Sequence, residues 1–174
     1  MIQEHFYSSF KNKSTELQDY FDHEFMPNLK KYSPVRYFGW SGYPVPASIT
    51  RKENVLSEVD TKFKIMFSGF VMMGPNRQYH WHTDVERGVT INMLMTHNHT
   101  SYSLFGEKDK DNDAQNHILT VDYEPNTFYL FNTKRPHTII NFEEPRFLFT
   151  VKFLADADQL SYEDIYNWKT SNNL

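Results

Sequence analysis

The chain has 174 residues, enough for one domain with a sizeable buried core. Its 18 basic and 22 acidic residues are spread along the sequence with a net charge of −4, so no basic stripe follows nucleic-acid phosphates, and the lack of cysteine removes disulfides, thiolate metal sites, iron–sulfur clusters and thiol nucleophiles together. Aromatic side chains, 15 Phe, 11 Tyr and 3 Trp, must supply much of the core, and eight histidines are left for metal chemistry.

At the N-terminus, MIQEHFYSSFKNKSTE carries Glu4 and no apolar run. With no stretch of about 18 apolar residues anywhere, the expectation is a cytoplasmic protein without signal peptide or membrane span. Thr15 and Gln18 fit a capping box, and Leu17, Tyr20, Phe21, Phe25 and Leu29 recur on one helical face, which predicts a helix over 15–30. The following YFGWSGYPVP is aromatic but broken by Gly39, Gly42, Pro44 and Pro46, and reads as short strand and loop packed at a rim. From Lys62 the runs FKIMFSGFVMM, YHWHTD, VTINMLMT, TSYSLFG, HILTVDY, TFYLF, HTIINF and RFLFTVKFL read as short strands. With turns between them and no helical pattern intervening, they predict an antiparallel sandwich or jelly roll. In the last, Phe147, Phe149, Val151 and Phe153 take one face, suited to cover by the N-terminal helix, and Arg146, Leu148, Thr150 and Lys152 look inward. Ser161 and Asp164 then cap a short helix from Tyr162 to about Lys169. The expected organisation is a single domain, with helical support over 1–34, a β core over 60–154 and a C-terminal helix over 161–170. EKDKDNDAQN, with Asp109, Asp111 and Asp113, fails as a calcium loop because Ala114 and Thr120 stand where the turn glycine and bidentate Glu belong, so it reads as a solvated loop.

The segment with chemistry in it is YHWHTDVERG, Tyr79 to Gly88. On a strand His80, His82 and Asp84 share one parity, with Glu86 in phase, while Tyr79 and Trp81 fall on the other and are expected to pack. A His-x-Asp pair is weak by itself. His137, on a later strand, supplies a second imidazole, and two imidazoles with one carboxylate make the facial triad that leaves positions open on non-haem Fe(II). Arg146 heads the next strand on its inward face. A buried cation must be paired, no in-phase carboxylate stands nearby, and a bound dicarboxylate would satisfy it.

The blocks HWHTDVERGVTINMLMT and NTKRPHTIINFEEPRFLFTVKF resemble the Fe(II)- and 2-oxoglutarate-dependent oxygenases, especially small prolyl and aspartyl/asparaginyl hydroxylase-like members. The resemblance implies a double-stranded β-helix, with His82, Asp84 and His137 as catalytic iron ligands and Arg146 on the far carboxylate of 2-oxoglutarate. It also implies that the oxoacid is decarboxylated to succinate while O2 hydroxylates a substrate C–H. Many members carry Ser or Thr two residues after the arginine, where this chain has Leu148; Thr150 and Asn92 are the candidate substitutes. Arg87 is a candidate partner for a carboxylate of the oxoacid or substrate, or for a surface ion pair. The substrate, a small molecule or a protein side chain, and the oligomeric state stay open. YFGWSGYP and EKDKDNDAQN are candidate lids.

Two other readings remain. Gly74, His80, His82 and Glu86, with His137 and Asn141, reproduce much of the cupin motifs and would give His80, His82, Glu86 and His137 as ligands, though Asn132 and Lys134 replace the expected Pro and Gly and Arg146 is left without a role. A non-catalytic jelly-roll binding module would treat the triad as ordinary polar residues, as His5, His23, His97, His99 and His117 are read.

Overall fold

The runs predicted after Lys62 all contain strands, and three further strands precede them. The structure, a computed structural model, describes residues 5–37, 39–96, 100–109 and 115–174; Asp111, Asp113, His97 and His99 lie outside these. In chain order the elements are β1 (Tyr7–Lys11), α1 (Glu16–Asp19), β2 (Val35–Tyr37), β3 (Trp40–Pro44), α2 (Ala47–Thr50), α3 (Asn54–Phe63) and β4 (Ile65–Met73). There follow β5 (Arg77–His82), β6 (Val89–Leu94), β7 (Ser101–Lys108), β8 (Gln115–Thr120), β9 (Thr127–Asn132), β10 (His137–Asn141), β11 (Arg146–Phe153) and α4 (Tyr162–Ser171). The strands form a seven-stranded sheet, β1-β9-β6-β11-β4-β3-β2, and a four-stranded sheet, β5-β10-β7-β8, both antiparallel throughout. The stretch read as short strand and loop at a rim holds β3, which pairs with β2 on one side and adds both to the edge of β4 on the other. No helix among the described residues is long and apolar enough to cross a membrane.

The predicted N-terminal helix is one helical segment whose pitch changes twice. It is α over Glu16–Asp19, π over Tyr20–Phe25 and 3₁₀ over Met26–Lys31. Pro27 has no N–H for the carbonyl four residues back, so α pitch cannot run through it. The predicted capping box does not form. Thr15 Oγ1 donates to Asp19 at 2.8 Å, and the Leu17 N–H donates to Glu53 Oε1 at 2.5 Å. Glu53 is fully buried at the start of α3 and also accepts from Asn12 Nδ2 at 2.7 Å. At the other end of the chain, the predicted Ser161/Asp164 capping box is present on α4.

The alternation of β11 organises the interior. Phe147, Phe149, Val151 and Phe153 enter the larger core with Leu17, Phe21, Phe25 and Phe70, as predicted, while Leu29 packs on its margin. Phe21 meets Phe147 edge-on with ring centroids 5.4 Å apart, a favoured geometry for aromatic pairs. The opposite face, Arg146, Leu148, Thr150 and Lys152, lines a cavity of about 600 Å³ that residues of both sheets enclose. A second aromatic cluster including Phe6, Phe105, Tyr123, Phe131 and Leu148 packs beside it.

Candidate metal centre

β5 and β10 run antiparallel with His82 opposite His137, and Asp84 follows just beyond the end of β5. One donor atom from each of His82, Asp84 and His137 lies within 4.8 Å of the others, the one such His/Asp/Glu group among the described residues. The backbone fixes the ring orientation of both histidines. His82 Nδ1 is 2.8 Å from the carbonyl of His80, and His137 Nδ1 is 2.9 Å from that of Arg135. Donation at Nδ1 leaves each Nε2 with its lone pair free to ligate. Burial, with the His82 imidazole alongside, pushes His137 down to about 4, so this ring is neutral at physiological pH. Asp84 is anchored from two sides. Its N–H donates to the Thr133 carbonyl at 2.9 Å, and its Oδ2 accepts from Arg87 Nε, while Oδ1 stands 3.6 Å from His82 Nε2. Thr133 also donates from its hydroxyl to the Arg87 carbonyl at 2.8 Å, so one buried turn residue before His137 holds the loop that carries Asp84. Arg87 is therefore an ion-pair partner of Asp84.

Strict alternation fails in β5. His137 pairs with His82 and Ile139 with Tyr79, so β5 spends three residues where β10 spends two. This bulge takes Tyr79 to the cavity side, its ring 4.4 Å from that of His82, and leaves His80 exposed. The Thr138 hydroxyl, donating to the Tyr79 carbonyl, supports the irregularity. The expectation that Tyr79 only packs out of phase is thereby corrected. The four-ligand alternative does not assemble either, because His80 points to solvent and Glu86 is exposed and paired with Lys152 Nζ at 2.8 Å. That hydrogen bond holds the Glu86 carboxyl below the usual carboxylate range.

Arg146 is 3% exposed. Its Nη2 donates to Ser103 Oγ at 2.9 Å and to Tyr123 Oη at 3.2 Å, its Nε has no hydrogen-bond partner, and no carboxylate of the described residues forms an ion pair with it. Burial pushes the Tyr123 phenol up, so it stays protonated. Ser103 and Tyr123 carried no spacing signal in the sequence; only the fold brings β7 and the segment after β8 to β11. Of the two candidate substitutes for a Ser or Thr at 148, Asn92 lines the cavity with a buried Oδ1 that lacks a partner. Thr150 lines it too, but its hydroxyl is 3.1 Å from Thr90 Oγ1, which itself donates to the Val151 carbonyl. Four residues of strand, roughly 13 Å, separate Thr150 from Arg146.

No protein-family model matches the sequence, and no curated protein matches it significantly. Solved structures do match. A Pseudomonas putida prolyl-4-hydroxylase superposes with a TM-score of 0.61 at 13% identity, covering 84% of this chain and 91% of its own. A prolyl hydroxylase from Trichoplax adhaerens, in complex with a hypoxia inducible factor oxygen degradation domain peptide fragment, gives 0.60 at 12% identity, covering 87% and 84%. HygX from Streptomyces hygroscopicus, with nickel, 2-oxoglutarate and hygromycin B bound, gives 0.58 at 10%, covering 86% and 83%. The fold is a double-stranded β-helix.

In this double-stranded β-helix the smaller sheet brings His82 and His137, the larger sheet brings Arg146, and all three face one cavity. The donor set suits a divalent metal with open positions, and the unpartnered Arg146 Nε suits a carboxylate. A metal-affinity series tests the cluster. In titrations with Mn(II), Asp84→Ala is expected to abolish binding and Glu86→Ala to leave it within about twofold. Arg87→Ala should weaken it by roughly 10- to 100-fold, the usual cost of losing a partner that orients a ligand. Loss of metal in Glu86→Ala would overturn the assignment.

Proposed function

We propose that this chain is an Fe(II)- and 2-oxoglutarate-dependent oxygenase that hydroxylates a substrate C–H. The observation that carries the reading is a buried arginine with no anionic partner among the described residues, in the same cavity as a two-histidine, one-carboxylate cluster. The balance is 2-oxoglutarate, O2 and R–H giving succinate, CO2 and R–OH. When bound, the metal and the oxoacid supply the oxidising power for that exchange.

The chain's own residues do the rest. His82, Asp84 and His137 would hold the iron and leave its remaining positions for the other reactants. Arg146 would receive the far carboxylate, with Ser103 and the protonated Tyr123 beside it as further donors. Leu148, Phe105 and Phe131 line the same cavity and would offer the oxoacid's methylenes apolar surroundings from which water is excluded. The Asn92 amide, once turned, offers N–H to a carboxylate or, as it stands, an acceptor. Arg87 holds one oxygen of Asp84, leaving the other for the metal.

Anaerobic addition of Fe(II) and then 2-oxoglutarate tests this directly. A weak visible charge-transfer band is expected with native protein, followed by slow succinate release when O2 is admitted. A native, metal-loaded protein that never shows the band overturns the reading.

A further inference from the structure

The cavity has two differently built halves. Around Arg146 and the metal cluster it is polar and buried. Toward the mouth its wall is the free end of the larger sheet, where Leu148, Val71, Gly42 and Val35 form one in-register row across β11, β4, β3 and β2. Two glycines shape this wall. A Cβ at Gly42 would lie 3.2 Å from Trp40 Cζ3, and one at Gly69 would lie 2.8 Å from both Phe67 Cζ and the Tyr43 carbonyl oxygen. Trp40 and Phe67, each two residues before its glycine and so on the same face, therefore lean along their strands over the bare backbone. A side chain at Gly69 would collide with Phe67 and with the Tyr43 backbone, and a Cβ at Gly42 would already press on Trp40, so a branched side chain there would move its ring. The result is two aromatic rings laid along adjacent strands as one wall of the cavity.

This wall is exposed for its apolar chemistry. Phe67 is 41% exposed, Val35 51% and, across the mouth, Val85 85%, a grouping of large apolar side chains around one opening that marks a binding surface. The charges at the mouth are already matched, Lys152 by Glu86 and Arg87 by Asp84, so the part of a ligand lying here needs no charge of its own. A volume of about 600 Å³ is that of a small-molecule pocket.

We propose that the substrate is a small molecule with a flat, uncharged apolar ring system that stacks on Trp40 and Phe67 and thereby presents its edge to the metal cluster. Ring faces that stack on indole and phenyl faces gain energy beyond that of the area they bury, a gain open to flat rings and not to a flexible alkyl chain. This deepens the oxygenase reading by naming its substrate class, and it rests on that reading for the reaction but not for the binding.

The test is calorimetric titration of the Mn(II)- and 2-oxoglutarate-loaded protein, and of the metal-free protein, with 2-naphthol, with 1-octanol and with the peptide Ala-Ala-Pro-Ala-Ala. Saturable binding of 2-naphthol is expected, at least tenfold tighter than 1-octanol, with none of the peptide. Trp40→Leu, which keeps apolar bulk but removes the flat face, should weaken 2-naphthol at least tenfold, as should Gly42→Val. Trp40→Leu serves alone if the valine variant does not fold. Unchanged 2-naphthol affinity in Trp40→Leu, or binding of the peptide in preference to 2-naphthol, overturns the proposal. Because the metal-free protein is also titrated, Trp40-dependent binding in a protein that shows no charge-transfer band would sink the oxygenase reading and leave the ring site standing.

Discussion

Arg146→Ala is expected to weaken 2-oxoglutarate binding by about a hundredfold to a thousandfold while leaving Mn(II) affinity within about twofold of native. Truncating one side of a buried, hydrogen-bonded charge pair costs about 2–5 kcal/mol, and each 1.4 kcal/mol is tenfold. The guanidinium is buried, carries an unpartnered Nε, and is approached only by the neutral Ser103 and Tyr123 among the hydrogen-bonding groups described. Arg146→Lys should recover little, because an ammonium cannot offer a carboxylate the two parallel donors of the guanidinium fork. Titrating the oxoacid into Mn(II)-loaded protein reads both effects, and an unchanged dissociation constant in Arg146→Ala would remove the oxoacid from this pocket. Tyr123→Phe separates the neighbours. It should cost less, about tenfold, since it deletes a neutral donor and leaves the charge.

The largest effect on stability is expected at Glu53. Its carboxylate lies at 0% exposure between β1, α1 and α3, accepting from Asn12 Nδ2 and from the backbone N–H of Leu17. Glu53→Ala leaves the Leu17 N–H buried with no acceptor and removes one of two acceptors from Asn12, whose amide also reaches Asn126 Oδ1 at 3.2 Å. An unsatisfied buried donor costs about 1–3 kcal/mol, and hydrogen bonds to a charged group are at the strong end. A total loss of about 3–4 kcal/mol corresponds to roughly 10 °C in Tm for a chain of this size. Glu53→Gln keeps one acceptor oxygen and should lose about half as much. A melting curve within about 2 °C of native for Glu53→Ala would show that the helix start does not depend on this cap.

What the sequence made legible, and what it hid, divides along physical lines. The aromatic face of β11 and its cover by Leu17, Phe21 and Phe25 follow from two periodicities, one of strand and one of helix, and both are local properties. His82, Asp84, His137 and Arg146 stood out by residue type and spacing, and the fold gathers them around one cavity. The position of Tyr79 was hidden because alternation holds only until a strand bulges, and the bulge lies in pairing with a strand more than 50 residues away, where Thr138 donates to the Tyr79 carbonyl. Ser103 and Tyr123 were hidden because their approach to Arg146 is purely tertiary. β1 has no counterpart among the predicted elements, since YSSFK lacks a clear apolar pattern and is a strand by virtue of pairing with β9, from Tyr7 opposite Phe131 to Lys11 opposite Thr127. The N-terminal capping box failed for the same reason: a glutamate 36 positions away takes the Leu17 N–H at the helix's start.

Both imidazoles of the His82–Asp84–His137 group take their orientation from main-chain carbonyls two residues earlier, at the bulge of β5 and at the entry to β10. A main-chain acceptor is the same atom whatever side chain stands at 80 or 135. Drift at either position therefore leaves the tautomers intact so long as the backbone path survives. The carboxylate vertex is different, because Arg87 reaches Asp84 through a side chain and a single codon change removes it. In a lineage of such proteins the two imidazole orientations would be inherited with the fold, and the carboxylate's setting would be adjusted by mutation at Arg87.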